Sequence, residues 1–403
     1  MQPKLNLAYF SPLPPQHTGV ADYSAGLLSY LRKHADLTLF VDNPAGVDPS
    51  LKKQYPIHPI TAYPAQRLQF DTAVYHVGNN RHHEAIYDLA RRYPGVVVLH
   101  DYYLHPYLAD RAAREKNFTP YARELAYAQG LEGIRLAWQV RRGEVPRLDH
   151  AFPLNDRLLD LSLGIIVHNQ TVATDCRQRR PGVKIAVIPH FVTQHGATSR
   201  RDELNWPDEV VIIGHYGYIT ANRQMPLFME TFARIHEAWP QTRLLITGEI
   251  VNQEVDVAGL IGAYGLEEAV HVTGYVPDQQ SFLDWMATAD FLVNLRDPTM
   301  GETSGTTLLA LALARPVVLF DHGWYGELPA DVCYQVPVMD DAALFTAMET
   351  LLTRPELRTQ IGDQAQRHVR ETCDPDSVAA AYIAFINQVL LRPTAATTHS
   401  PAQ

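Results

Sequence analysis

The stretch RDPTMGETSGTTLLALALARPVV, residues 296–318, decides the fold. It opens as a breaker-rich loop, with Pro298, Gly301 and Gly305 set among Thr299, Thr303 and Ser304. A short apolar helix is expected over 306–314. Arg315-Pro316 ends it, because proline disfavours α geometry in the residue before it, and 317–320 reads as a buried strand. A glycine loop that feeds a helix start leaves backbone N–H groups unpaired at the positive end of the helix dipole. Such a junction suits an anion. Glu302 stands just before those amides, where it could grip a neutral polar group. Loop–helix junctions are common and most bind nothing, so the surrounding chain must carry the reading.

Outward from this stretch, the second half of the chain reads as strands at 210–217, 243–247, 269–273, 291–295 and 317–320, with helices between. Phe228, Phe232, Ile235 and Trp239 form one apolar stripe, and Leu357, Ile361, Ala365 and Val369 another. Each of these helices opens with a proline in its first turn, Pro226 and Pro355. The first half repeats the plan, with strands at 5–10, 36–41, 72–77, 96–100, 163–168 and 185–188 and a helix beginning near Val20. Strand, helix, strand at these intervals predicts an α/β chain with parallel, doubly wound sheets. Ligands in such sheets sit at the carboxyl ends of strands. Residues 11–19, Gly78-Asn79-Asn80 and His100-Asp101 occupy those places.

Between about 102 and 160 the strand pattern lapses into a helical insert, for example 119–140. Its Arg111, Arg114, Lys116, Arg123, Arg135, Arg141 and Arg142 are offset by Asp110, Glu115, Glu124, Glu132 and Glu144, which reads as a solvated face. A surface lining a substrate is the functional alternative. The polar run TSRRDELNWPDE, residues 198–209, places a boundary there. The expected domains are 1–198 and 199–376, with a helix over 377–391 crossing back to the first domain and a disordered tail over 392–403.

Composition bounds the function. A chain of 403 residues, 46% hydrophobic and 19% charged, accommodates two globular domains. A net charge of −10 leaves no basic excess for general nucleic-acid binding. Cys176, Cys333 and Cys373 show no CxxC spacing and read as reduced. The N-terminal LNLAYF is a strand and not a signal peptide, and no run is long enough to span a bilayer. A cytoplasmic protein is expected, with peripheral contact at the inner membrane face allowed. No GxGxxG follows the first strand and no GxSxG is present, which disfavours dinucleotide oxidoreductases and serine hydrolases. Eighteen histidines include no HExxH, and the adjacent His82-His83 pair does not face one site, so no metal ligand is expected.

Seven stretches, taken in order and spacing, carry a resemblance. They are PLPPQHTGVADYS at 12–24, HD at 100–101, VHNQ at 167–170, VIPHFV at 187–192, GYITANR at 217–223, VTGYVP at 272–277 and GETSGTTLLALALARPVV at 301–318. The chain resembles the fourth family of retaining nucleotide-sugar glycosyltransferases, whose GT-B fold sets two Rossmann-like domains face to face across a cleft. The resemblance implies that Glu302 faces the donor sugar, and that Gly305, Thr306 and Thr307 hold the diphosphate through backbone donors. It implies that Arg223 neutralises the departing phosphate, and that His100 lies near the reacting face of the sugar. Thr18 and Gly19 match the first domain's glycine loop, and Gly274, Tyr275 and Val276 the loop beside the base. Asp22 and Asp101 are acceptor-side candidates, although a first-turn aspartate complementing the helix dipole explains Asp22 as well.

Two departures stand out. The family's second glutamate falls on Ala310, and an arginine of the phosphate loop falls on Tyr218. The implied activity is metal-independent, cofactor-free transfer of a hexose from a UDP-, GDP- or ADP-linked donor to a hydroxyl of a glycan, a lipid-linked molecule or a small molecule. The alternatives are a degenerate GT-B protein that binds a glycan or partner without catalysis, and an epimerase or phosphorylase on the same fold.

Overall fold

Runs such as LNLAYF and TAVYHV carry apolar residues without alternation, which suits strands covered on both faces. The structure is a computed structural model that describes residues 4–145, 150–193, 196–251 and 254–390. It divides into two compact units, one built from the chain up to Ile188 with the segment from Asp376 onward, the other from Pro189–Pro375. The division falls after Ile188 and not at Thr198. The polar run has partners in the second unit: Thr198 N donates to Asp284 Oδ1 at 2.9 Å and Arg200 N to Thr288 Oγ1 at 2.8 Å.

In the first unit β1 (Leu5–Phe10), α1 (Gly19–Leu31), β2 (Ala35–Val41), α2 (Pro49–Gln54), β3 (Ile57–Pro59), α3 (Tyr63–Gln66), β4 (Thr72–Val77), α4 (Glu84–Ala90) and β5 (Val96–Leu99) follow in order. The helical insert is α5 (His105–Arg114), α6 (Thr119–Arg141) and α7 (Asp156–Leu161). Then come β6 (Gly164–Val167), α8 (Gln170–Arg179) and β7 (Ile185–Val187). The seven strands are all parallel, in the order β3-β2-β1-β4-β5-β6-β7.

The second unit runs β8 (Val211–Tyr216), α9 (Met225–Ala238), β9 (Thr242–Thr247), α10 (Val257–Ala263), β10 (Val270–Gly274), α11 (Gln279–Thr288) and β11 (Phe291–Asn294). It continues with α12 (Gly305–Ala312), β12 (Val317–Phe320), β13 (Tyr334–Val336), α13 (Asp341–Thr353) and α14 (Pro355–Thr372). Its parallel sheet has the order β10-β9-β8-β11-β12-β13. Both orders turn back on themselves once, between β1 and β4 and between β8 and β11. Each reversal opens a crevice at the carboxyl ends of the two strands.

The cores follow from the strand sequences. Phe10 and Phe40 stack at 5.1 Å across β1 and β2, and Tyr63 meets both edge-on at 4.8 and 5.4 Å. Such pairs contribute roughly 0.5–1.5 kcal/mol each beyond burial. The last helix, α15 (Pro375–Leu390), packs on the first unit. Gly164 at the start of β6 makes room for it: a Cβ there would stand 2.7 Å from Phe385 and 2.8 Å from Val389. Tyr382 of α15 also bonds Tyr23 of α1, hydroxyl to hydroxyl, at 2.9 Å.

Three features depart from the sequence reading. The edge strands β3 and β13 are three residues each, too short to show a pattern. The helix expected over 119–140 folds back at Gly130, where φ is 63°, and Gly133 seats directly on the Leu125 carbonyl. The tail expected to be disordered, 392–403, lies outside the described residues.

Candidate active site

In the second unit the loops after β8 and β11 are bonded to each other at the crevice. Asp297 N donates to Asn222 O at 2.9 Å and Asn222 Nδ2 to Pro298 O at 3.0 Å. Gln224, in the left-handed conformation at φ 50°, starts α9 and reaches Asp297 O at 2.5 Å. These bonds bring the turn that ends in Arg223 against the N-terminus of α12.

Arg223 is only 4% exposed. Its Nε donates to Tyr218 O at 3.1 Å and its Nη1 to Asn294 Oδ1, both neutral acceptors. Among the described residues no carboxylate forms an ion pair with it. Burial, and then the neighbouring Arg296 guanidinium, pull its pKa down to about 9, which still leaves it charged near neutral pH. A buried cation without a counter-ion is costly unless something anionic joins it. Its Nη2 stands against Gly217, where φ is +100°. A Cβ at Gly217 would lie 3.3 Å from that nitrogen and 3.2 Å from Thr306 Oγ1.

The helix start is less open than the sequence suggests. Ser304 caps α12, and its Oγ accepts the Thr307 amide at 3.2 Å. Thr307 is buried, and its hydroxyl accepts Asn294 Nδ2 at 2.6 Å. Two amides, Gly305 N and Thr306 N, therefore remain without a hydrogen bond among the described residues, where three were expected. Asn294, absent from the sequence reading, links the cation to the helix cap. Its partners lie far along the chain, so no local motif marks it.

Glu302 is committed to its own loop. Oε1 pairs with Arg296 Nη1 at 2.6 Å, and Oε2 accepts Thr299 Oγ1 at 2.7 Å and Met300 N at 2.6 Å. The carboxylate is thereby fixed beside Arg223 and the buried phenol of Tyr325. Ala310, where the resemblance puts a second glutamate, is wholly buried in the core that includes Ala365 and Val369 of α14. Tyr218 is 38% exposed and supplies its carbonyl to Arg223. Gly274, at φ 72°, and the exposed Tyr275 stand with Val276 at the end of β10, the edge strand two places from the crevice. His215 is held neutral, its pKa pushed down to about 3 by burial and by Arg223.

In the first unit the glycine loop ends at Thr18, whose Oγ1 caps α1 by accepting Ala21 N at 3.0 Å. The hydroxyl is therefore a cap, and Gly19 is exposed with open space where a Cβ would be. Asp22 is an exposed first-turn residue of α1. Asp101 accepts Asn79 N at 2.8 Å, while Asn79 Oδ1 accepts Tyr107 N in the first turn of α5, a structural use of both residues.

His100 follows β5, is 6% exposed, and bonds His76 of β4, Nε2 to Nδ1, at 2.9 Å. Tyr23 lies edge-on to it at 5.2 Å, and the ring of His168 is 5.0 Å away. Burial drives the pKa of His76 well below the ordinary histidine value, and takes those of His83 and His168 down to about 4. Neutral imidazole is the form a metal ion requires. Nδ1 of His83 and of His168 faces a backbone carbonyl, His76 O at 2.9 Å and Ile188 O at 2.8 Å. A nitrogen of each of His100, His168 and His190 lies within 4.8 Å of the other two, a grouping with the donor set for a metal ion that the sequence did not suggest.

Residues 208–354 match the glycosyl transferases group 1 family. The chain is 28% identical over 161 residues to an alpha-D-kanosaminyltransferase of Streptomyces kanamyceticus, covering 39% of this chain and 40% of that protein. It is 26% identical over 223 residues to the lipopolysaccharide core biosynthesis mannosyltransferase LpcC of Rhizobium leguminosarum bv. viciae, covering 50% of this chain and 61% of that one. The chain thus spans less than two thirds of the length of each of these relatives. Among solved structures, HepE of Anabaena in complex with UDP-glucose superposes with a TM-score of 0.65 at 17% identity, over 95% of this chain and 99% of that one. The chain carries, over residues 208–354, a domain of the glycosyl transferases group 1 family, on the paired parallel Rossmann-like sheets of the GT-B fold.

Proposed function

We propose that this chain is a retaining glycosyltransferase that moves a hexose from a nucleotide-diphosphate sugar to a hydroxyl acceptor. One observation carries the reading. Arg223 is buried, charged and bonded only to neutral acceptors, and it meets Thr306, at the start of α12, over the bare Cα of Gly217. A diphosphate supplies the missing charge. The kanosaminyltransferase and mannosyltransferase relatives, and the UDP-glucose bound to HepE, support a sugar nucleotide as the source of that diphosphate.

The chemistry is electrostatic. Breaking the bond between the anomeric carbon and the diphosphate oxygen leaves the phosphate negative and the carbon positive. Gly305 N, Thr306 N and Arg223 would bind the leaving diphosphate more strongly as its charge develops, and one such donor is worth about 3 kcal/mol of barrier. The acceptor hydroxyl attacks from the face the diphosphate leaves, passes its proton to the departing phosphate oxygen, and so retains the configuration. Glu302, fixed by Arg296, would orient the sugar. His100 and the open Gly19 backbone are the first unit's candidates. With a guanidinium and a helix dipole neutralising the diphosphate, the reading calls for no metal, and chelation should leave turnover unchanged.

Thermal unfolding with UDP, GDP and ADP tests the proposal, since a ligand that binds the folded state raises its melting temperature. One nucleotide should stabilise the chain, and Arg223→Ala should remove that stabilisation. Arg223→Ala and Glu302→Ala should each also abolish most transfer while the protein stays folded. A flat response to all three nucleotides overturns the reading. Stabilisation with no turnover from any sugar nucleotide assigns the chain instead to the binding-only class, for which the core residue Ala310 and the partly exposed Tyr218 are the motive.

A further inference from the structure

The reaction as described makes no use of Tyr325, in the turn Gly323–Glu327 that follows β12. The residue is wholly buried. Its ring is fixed by packing: Trp324 lies 5.2 Å from it, and His322 stacks at 6.4 Å while His322 Nε2 bonds Arg296 O at 2.5 Å. Its backbone is fixed as well, since Gln335 Nε2 donates to Tyr325 O at 2.8 Å and to Leu328 O at 3.0 Å. None of these contacts involves the hydroxyl. That oxygen is buried and has no hydrogen-bond partner among the described residues. Burial raises its pKa above that of an ordinary phenol, so it keeps its proton at neutral pH.

The polar neighbours of that hydroxyl are Arg223, Arg296, Glu302 and Ser304. The two guanidiniums are donors only. Glu302 is turned to Thr299, Met300 and Arg296. Ser304 Oγ has two lone pairs, and Thr307 takes both, through its amide at 3.2 Å and its hydroxyl at 3.0 Å. The Thr307 hydroxyl itself accepts Asn294 Nδ2 at 2.6 Å, so its own proton is the one that goes to Ser304. What this corner of the site lacks is an acceptor. A buried O–H without one costs free energy, and such groups are rare enough to call for an explanation.

We propose that the Tyr325 hydroxyl is a further ligand-binding donor, which hydrogen-bonds a phosphate oxygen of the diphosphate bound by Arg223 and the start of α12. An anionic oxygen is the fitting acceptor, because both guanidiniums and the helix dipole favour negative charge there. A hydrogen bond to an ionised oxygen is also roughly twice as strong as a neutral one. The assignment deepens the transferase reading and rests on it for a sugar nucleotide as the source of the diphosphate, whereas the contact itself requires no turnover.

Tyr325→Phe removes the hydroxyl and keeps the ring. Calorimetric titration with UDP, GDP, ADP and inorganic pyrophosphate, beside a melting curve of the free protein, tests the proposal. Affinity for pyrophosphate, and for the nucleotide that binds the wild type, should fall about tenfold or more in the variant, the usual weight of a hydrogen bond to a charged group. The melting temperature of the free variant should be unchanged or higher, because the lost hydroxyl had no partner. A purely structural hydroxyl gives the opposite pattern, a lower melting temperature with unaltered affinity, and unaltered affinity overturns the proposal. If Tyr325→Phe fails to fold, 3-fluorotyrosine at position 325 of the full chain retains the hydroxyl. Its fluorine resonance should move when the same ligand is added, and an unmoved resonance overturns the proposal. A wild type that binds pyrophosphate but none of the nucleotides defeats the transferase reading alone, since Tyr325→Phe is still measured against pyrophosphate. A wild type that binds none of the four overturns both.

Discussion

At the scale of single residues, the second unit turns on how a buried arginine is held. A carboxylate partner would cancel the charge of Arg223, whereas Asn294 orients the guanidinium through Oδ1 and leaves that charge for a ligand. Asn294→Asp keeps the shape and adds the counter-ion. It should leave thermal stability unchanged or raise it, because a buried cation gains a partner, and should weaken nucleotide-diphosphate binding by about tenfold or more through repulsion. Calorimetric titration beside a melting curve reads both, and unchanged affinity would remove the ligand role of Arg223. Arg223 was legible in the sequence because GYITANR sits at a fixed interval before GETSG. Asn294 was not, since it looks like the last residue of an ordinary strand and its meaning comes from Arg223 and Thr307.

At the scale of elements, the sequence showed where helices and strands lie but not which of their polar groups are already satisfied. The amides of Gly305, Thr306 and Thr307 look alike in sequence. Ser304 Oγ takes the third, and the same oxygen lies 3.0 Å from Thr307 Oγ1. Ser304→Ala should therefore cost about 1 kcal/mol of stability, the usual value of an N-cap, and should loosen the Asn294–Thr307 contact. The short strands β3 and β13 escaped detection because three residues cannot express a period. The fold-back of α6 escaped because Gly130 reads as a tolerated glycine in a helix. The seat of α15 is a second place where an element depends on one residue. Gly164→Val would drive branches into Phe385 and Val389, at a cost of roughly 1–3 kcal/mol. Denaturant unfolding should show the loss, and an unchanged midpoint would mean that α15 does not need that contact.

At the scale of the whole molecule, the same burial that prepares the histidines sets how the protein meets acid. His83 and His168 of the first unit have pKa values near 4 and His215 of the second near 3, all below the ordinary 6.5 because burial opposes the charged form. Each binds its proton more weakly when folded than when unfolded. Its contribution is therefore complete above pH 6.5 and is lost as pH falls from there toward the folded value. At pH 5 that loss is roughly 2 kcal/mol per imidazole, against a total stability of about 5–15 kcal/mol for a typical domain. Among the described residues His76 and His82 of the first unit and His236, His271 and His368 of the second are shifted the same way, again by burial. Scanning calorimetry between pH 7 and 5 should accordingly show both units losing stability as the pH falls. His83→Asn tests the cause, because an asparagine amide can keep a donor toward His76 O without titrating. Its effect belongs in the pH slope and not in the melting temperature at pH 7, where any packing defect is equally present. The first unit should lose about 2 kcal/mol less between pH 7 and 5 in this variant than in the wild type, and identical slopes would show that His83 is not a source of the acid sensitivity.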